Sequence, residues 1–288
     1  MIRSMTGYAR EEVQAEWGRL IIELRSVNHR YLDLTLRLPE EFRGLENAFR
    51  KRATESLGRG KVEVQLRYQL MGSAAGEIRI DAERLQQMHA AIATVETTLG
   101  TSASPDPVRV LSWPGVVSQD PPDMAPLIAA AGELFGKTLD AMQANRAAEG
   151  QRLAEFITER LNAVGEAVER VRKRYPEVRD GWLDKLRARC AELGVEVEAG
   201  RLEQEAVMAA QRLDVEEELS RLDGHLKEVR QAMKRKEPVG RRLDFLMQEL
   251  NREANTLGSK SQDGEMTREA VELKVLIEQM REQVQNIE

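Results

Sequence analysis

Apolar and polar positions alternate by twos before residue 70 and by threes and fours after residue 127. Leu20, Ile22 and Leu24 alternate with Ile21, Glu23 and Arg25. Beyond Asn28–His29, Leu32, Leu34, Leu36 and Leu38 alternate with Tyr31, Asp33, Thr35 and Arg37. Period two marks a half-buried strand. Pro39 ends the second run, and Phe42, Leu45, Phe49 and Ala53 then fall at the spacing of a helix over 40–56. A third alternation, Val62, Val64, Leu66 and Tyr68, predicts a strand over 61–70, and a short strand is predicted over 77–80 after a flexible loop at Gly72–Gly76. The polar turn Arg25–Tyr31 reads as an ordinary hairpin turn or as a binding loop.

Six of the nine prolines lie between 101 and 126. Such density denies donors to helix and sheet, so this stretch reads as a connection with one short helical turn near Val108–Ser112. Helical stripes follow. Ile157, Leu161, Val164, Val168 and Val171 form the first, which Tyr175–Pro176 is expected to interrupt. Leu183, Leu186, Cys190 and Leu193 continue on another helix with Gly194 as its cap. A third helix is predicted over about 200–236 with Val215, Leu219, Leu222, Leu226, Val229 and Met233 inside. Pro238 suits the first turn of a fourth, whose core face is Leu243, Leu246, Met247, Leu250, Ala254 and Leu257 and which Gly258 would close. The last helix carries Ala270, Leu273, Ile277, Met280, Val284 and Ile287. The predicted class is α+β: an N-terminal antiparallel β-rich domain with a helix over 1–126, then a mostly α-helical region of long amphipathic helices over 127–288.

Composition changes this picture in three places. One Cys argues against a disulfide framework and fits a reducing compartment. Apolar runs are too short for a membrane span, and Met1–Glu12 lacks the apolar core of a secretion signal, so a cytoplasmic protein is expected. The net charge of −6 argues at face value against nucleic acid. It is uneven, however: residues 1–72 carry 13 Lys and Arg against 10 Asp and Glu, and the remainder carries 30 against 39. The average therefore leaves room for a confined basic surface.

The chemistry concentrates in three segments. Gly58–Lys61 and Gly258–Ser261 both lack the frame that wraps a nucleotide's phosphates. Arg25–Tyr31 groups two Arg, an Asn, a His and a Tyr, a set suited to a phosphate and a stacked base. Asp214, Glu218, Arg221 and His225 share one helical stripe, which reads as salt bridges on a solvated face or as a cation site. His89, in an Ala-rich helical stretch, reads as structural. In Pro238–Ser261 the residues Asp244, Gln248, Asn251 and Asn255 line one stripe, with Glu249 and Glu253 four apart alongside and Arg241, Arg252 and Lys260 nearby. Asn is a poor helix former, so this stripe reads either as a polar seam between helices or as a functional surface.

Ser4–Ala9 (SMTGYA), Arg25–Tyr31 (RSVNHRY), Arg59–Lys61, the run Gly240–Ser261 and the terminal Glu278–Glu288 resemble the YicC/YloC-like endoribonuclease family. The resemblance reaches both ends of the chain and is weak over about 72–200. It implies a divalent-metal-dependent RNA endonuclease of RNA turnover and small-RNA regulation, assembled as a ring-shaped homohexamer, with RNA and RNA-degradation proteins as partners. Carried onto matching positions, it points to Arg25, Asn28, His29, Arg30, Arg59 and Lys61, and to Glu217, His225, Arg241, Asp244, Glu249, Asn251, Arg252, Glu253, Asn255 and Lys260. Gly224 stands where the family is expected to have Ser.

The resulting expectation is cleavage of RNA with catalytic His225, Glu249, Glu253 and His29. RNA would be held by Arg25, Asn28, Arg30, Arg59, Lys61, Arg241, Asn251, Arg252, Asn255 and Lys260. A Mn²⁺ or Mg²⁺ ion would sit on Glu249 and Glu253 with Glu217 or Asp263. Two alternatives stand beside it: a metal-free attack by the RNA's own 2′-OH, and a non-catalytic RNA-binding scaffold.

Overall fold

The computed structural model describes residues 2–71, 78–102, 104–119, 123–192, 204, 207–208, 214–235 and 237–288. Strands β1 (Gly7–Ala15), β2 (Gly18–Val27), β3 (Leu32–Arg37) and β4 (Gly60–Leu70) form one sheet. A 3₁₀ turn at Glu40–Leu45 leads into α1 (Glu46–Ser56), which lies in chain order between β3 and β4. The sheet order is β1-β2-β4-β3, antiparallel except for the parallel β3–β4 pair.

This order corrects one expectation and adds a strand. Arg25–Tyr31 is not a hairpin turn, because β4 lies between β2 and β3 and pairs with both. The connection through α1 makes that possible, since parallel neighbours need a crossover. The sequence pattern also passed over β1. It pairs with β2 along its whole length, from Gly7–Ser26 to Ala15–Gly18, yet Ala9 is its one buried residue. As an edge strand it carries charge, with Arg10 near Glu12 and Glu23 and Arg19 near Glu12.

Beyond the sheet, β5 (Ile78–Ile80) and β6 (Val117–Gln119) form a two-stranded ribbon flanking α2 (Ala82–Leu99) and α3 (Pro107–Leu111). The short helical turn is α3; β6 falls within the proline-rich connection and was not expected. Asp81 caps α2 by accepting from the Arg84 N–H, and Gly100, at φ +64°, closes it. His89 is exposed on α2, so the structure gives it no core role.

A single helix, α4 (Ala125–Glu192), runs on through Pro176. The expected break at Tyr175–Pro176 is absent. Val171, Tyr175 and Val178 keep the apolar stripe in phase across the proline, and all three pack on the helical core. Their tertiary contacts offset the lost backbone bond. Leu193, the proposed cap Gly194 and the loop Gly72–Gly76 lie outside the described residues.

The remaining helices are α5 (Glu216–Met233), α6 (Gly240–Lys260) and α7 (Gly264–Val284). Of the helix expected from about 200, most of 200–213 lies outside the described residues. Pro238 precedes the α6 cap, Val239, instead of standing in its first turn, and Gly258 lies within α6, which continues to Lys260.

Two cores meet along α4. Its first turns set Leu127, Phe135, Leu139 and Met142 against Leu20, Ile22, Leu24, Val62, Val64 and Phe42 of the sheet layer. Phe135 stacks on Phe49 with ring centroids 3.9 Å apart. Further along, Ile157, Leu161, Val164, Val168 and Val171 pack with the inner faces of α5, α6 and α7. Each enclosed Leu, Val or Phe contributes about 1.5–3 kcal/mol, so α4 binds sheet and bundle into one frame.

Candidate functional site

The two ends of the chain meet, and their meeting builds the site. Met5 donates from its amide to the Asn286 carbonyl at 2.7 Å, and Glu288 donates to the Arg3 carbonyl at 2.9 Å. Ser26 of β2 then donates its hydroxyl to the Met5 carbonyl at 2.6 Å. The chain start is thus gripped between the sheet and the chain end. Two glycines permit this closeness. Gly60, at φ +119°, passes under the Ser26 hydroxyl, and a Cβ at Gly240 would overlap the Ile287 carbonyl.

Asn28, Arg30, Arg59, Arg241, Asp244 and Arg281 line the cleft that results, of about 380 Å³, with Met5, Gly240, Val284, Gln285 and Ile287. Asn28 donates to the Gln285 carbonyl at 2.7 Å, tying the β2–β3 loop to the chain end. Arg59 Nε donates to the Arg30 carbonyl at 3.1 Å. Arg281 Nε stands 3.9 Å from Asp244 Oδ1 and has no hydrogen-bond partner among the described residues. Four guanidinium groups against one carboxylate give the cleft the local positive charge that the whole-chain average conceals.

His29 stands beside this cleft. Its Nδ1 lies 3.0 Å from the Tyr31 carbonyl. A carbonyl only accepts, so Nδ1 is the donor in this contact. The Arg30 guanidinium lies 5.3 Å from the centre of the Tyr31 ring. Arg25 and Lys61 are exposed on the adjoining strands and do not line the cleft.

Of the other predicted residues, Glu217, His225, Glu249, Glu253 and Lys260 lie along the antiparallel α5–α6 seam. Lys260 Nζ donates to Glu218 Oε1 and to the Asp214 carbonyl, each at 2.7 Å. Lys260 is therefore engaged within the fold and half-buried. Arg221 pairs with Glu217 and lies 3.6 Å from Glu253. Glu218 and Glu253 are each only 4% exposed. The Asp214–Glu218–Arg221 stripe is thus largely an inter-helix polar seam. The register set by Arg221–Glu253 places Glu249 level with His225, and both are half-buried. On α6, Gln248 donates to Asp244 at 2.9 Å and Asn255 to Asn251 at 2.7 Å, while Arg252 is exposed.

Cleft and seam are therefore separate stations. From Asp244 the rise along α6 is about 8 Å to Glu249 and about 13 Å to Glu253. The structure places His29 with the arginines and places His225, Glu249, Glu253 and Glu217 further along the helices. Asp263 is set apart from both: it caps α7, accepting from the Glu265 and Met266 amides at 3.1 Å, and pairs with Arg174. The Arg174 hydrogen bond, followed by the Met266 amide, holds its carboxyl below the usual Asp range. Among the described residues no three His, Cys, Asp or Glu side chains gather as metal ligands.

Sequence reasoning did not single out Arg281 or the backbone at Met5 and Gln285. Arg281 lies in the quoted terminal segment, but only the fold shows that this segment closes the cleft.

Residues 2–155 match the family described as "Endoribonuclease YicC-like, N-terminal region", and residues 171–288 match "Endoribonuclease YicC-like, C-terminal". The chain is 42% identical to "Probable endoribonuclease YicC" of Haemophilus influenzae over 288 residues, covering 100% of both chains. It is 29% identical to "Probable endoribonuclease YicC" of Clostridioides difficile over 293 residues, again covering 100% of both. The segments that suggested the resemblance are the ones that meet at the cleft.

Proposed function

The chain belongs to the YicC-like endoribonuclease family, and on that premise we propose that it cleaves RNA internally. The observation that carries the reading is the convergence of the chain start, the β2–β3 loop, Arg59, the first turn of α6 and the chain end on one arginine-lined cleft. Guanidinium groups pair with phosphate oxygens through two hydrogen bonds at once, so the cleft suits a phosphodiester backbone.

In this proposal Arg30, Arg59, Arg241 and Arg281 hold phosphates, and the strand continues along α6 toward Arg252. His225, level with Glu249, moves the proton at the scissile phosphate. Glu249, Glu253 and Glu217 would be the carboxylates to hold a Mn²⁺ or Mg²⁺ ion, which would supply an activated water and offset charge on the phosphate. One chain does not close such a site, because Glu253 is enclosed against Arg221. The remaining ligands would come from water, the RNA phosphate or another copy.

Attack by the RNA's own 2′-OH is the second route. It breaks the bond from phosphorus to the 5′ oxygen and leaves a 2′,3′-cyclic phosphate. Assembly with further copies, as a hexamer by resemblance, belongs to the same proposal. It is supported by α2, which buries none of its side chains and leaves Val95 and Leu99 exposed. Roles in RNA turnover and small-RNA regulation rest on resemblance alone.

Incubating the protein with end-labelled single-stranded RNA, with Mn²⁺ or with EDTA, tests the reading. Internal cuts support it; analysis of the product ends separates water attack from 2′-OH attack. Binding without cleavage in a nuclease-free preparation overturns it in favour of a scaffold.

A further inference from the structure

We infer that Phe245 is a base-stacking contact, so that the RNA this site takes is single-stranded. The inference rests on the RNA reading above and deepens it by naming the substrate class.

Phe245 is out of place as a core residue. Phe42, Phe49 and Phe135 are enclosed and Phe156 packs on the helical core, whereas Phe245 is 58% exposed. It does not belong to the inner stripe of α6, which runs through Leu243, Leu246, Met247 and Leu250. It stands instead on the outer stripe Arg241, Phe245, Gln248, Arg252 and Asn255, at steps of four, three, four and three, all exposed. Arg241 lines the cleft, so Phe245 lies one helical turn beyond the point where the cleft opens onto α6. A single exposed apolar residue is ordinary by itself. An aromatic set between two arginines, at the mouth of a cleft with four, is the pairing that single-stranded nucleic acid uses: cations for phosphates and ring faces for bases.

The surrounding charge selects this occupant over a second copy. A twofold contact centred on Phe245 would bring Arg241 and Arg252, which have no ion pair among the described residues, close to their own counterparts, and like charges oppose such docking, whereas Arg242 and Arg281 already face Glu228 and Glu278. A polyanion meets no such opposition. Tyr31, 61% exposed beside Arg30 on the strand side, offers a second ring near the same cleft. Paired bases in a duplex present no free face to either ring.

The test is binding of a labelled single-stranded RNA, and of its duplex, by the full-length protein and by Phe245→Ala and Phe245→Trp. Phe245→Ala is expected to weaken single-strand binding about 5- to 150-fold, the range for loss of one stacked base. Phe245→Trp should retain binding, and the slope of affinity against salt should stay unchanged because the phosphate contacts remain. Wild-type binding with an unaltered Phe245→Ala overturns the stacking role while leaving the RNA reading in place. So does an equal loss on duplex. A shift in sedimentation of Phe245→Ala without RNA, with RNA binding unaltered, overturns it in favour of an interface between copies. Absence of RNA binding by the wild-type protein defeats the functional reading itself. Circular dichroism and melting of the variants confirm that folding is intact, as the exposure of Phe245 predicts.

Discussion

Arg146 and Glu288, 142 residues apart in the chain, meet through a 2.6 Å ion pair that is almost enclosed, and Arg146 Nε donates to the Ser4 carbonyl at 2.5 Å. One guanidinium from the first third of α4 thus holds both ends of the chain beside the cleft. Burial works against its charge, and Glu288 offsets that burial. Removing one partner of a buried pair leaves an uncompensated charge. Glu288→Ala should therefore lower stability by about 3–5 kcal/mol, read by urea unfolding. Arg146→Met combined with Glu288→Leu should be milder than Glu288→Ala alone. A double variant as unstable as the single would show that lost packing, not the stranded charge, sets the loss.

Three glycines should respond in opposite directions. A Cβ at Gly240 would overlap the Ile287 carbonyl, and one at Gly150 would overlap the Ile2 carbonyl. Backbone cannot yield as a side-chain tip can, so Gly240→Ala and Gly150→Ala should each cost about 1–3 kcal/mol or more. Nothing lies within 4 Å of a Cβ at Gly224 inside α5. Gly224→Ala should gain about 0.5–1 kcal/mol from helix propensity, and Gly224→Ser less. Thermal melts of the three alanine variants check the signs, and a destabilised Gly224→Ala would contradict the open space seen there.

Asp263 gives a pH dependence with a definite sign. Its folded value is depressed, chiefly by Arg174 and the Met266 amide. A depressed carboxylate adds stability that is fully present above the unfolded value of about 3.9 and is lost as pH falls through the lower folded value. Asparagine keeps the helix cap and removes the charge. The stability gap between wild type and Asp263→Asn should be widest near neutral pH and narrow below about pH 4. A gap unchanged by acid would remove Arg174 from the account.

How far the sequence revealed the molecule follows from what each signal measures. Periodicity reports burial, so it located Leu20–Leu24, Val62–Tyr68 and the α6 stripe, whose alternate faces are wet. It passed over β1, where edge position leaves Ala9 alone buried. Pairing order is non-local, and no alternation in Arg25–Tyr31 announces that β4 comes between. Helical spacing put Glu218 on a polar stripe, but only the α5–α6 packing shows it enclosed against Lys260. The site segments were legible as motifs; their meeting required the grip of Arg146 on the chain ends.

The two stations of the site should separate in kinetics. His29 adjoins the arginine cleft, so His29→Ala should act mainly on RNA affinity and raise KM. His225 stands level with Glu249 further along the seam, so His225→Ala should lower kcat by about 10²–10⁴-fold and leave binding near wild type. Glu249→Gln is the cleaner carboxylate test, because Glu253 is enclosed against Arg221 and its substitution disturbs the fold. Arg241→Ala, with no ion pair to lose among the described residues, should weaken binding across sequences and make the salt dependence shallower by about 0.7. A fall in kcat on His29→Ala with no change on His225→Ala would move the chemistry into the cleft. Arg59, Arg241 and Arg281 would then act on the reacting phosphate itself, and α6 beyond Asp244 would serve only to guide the strand.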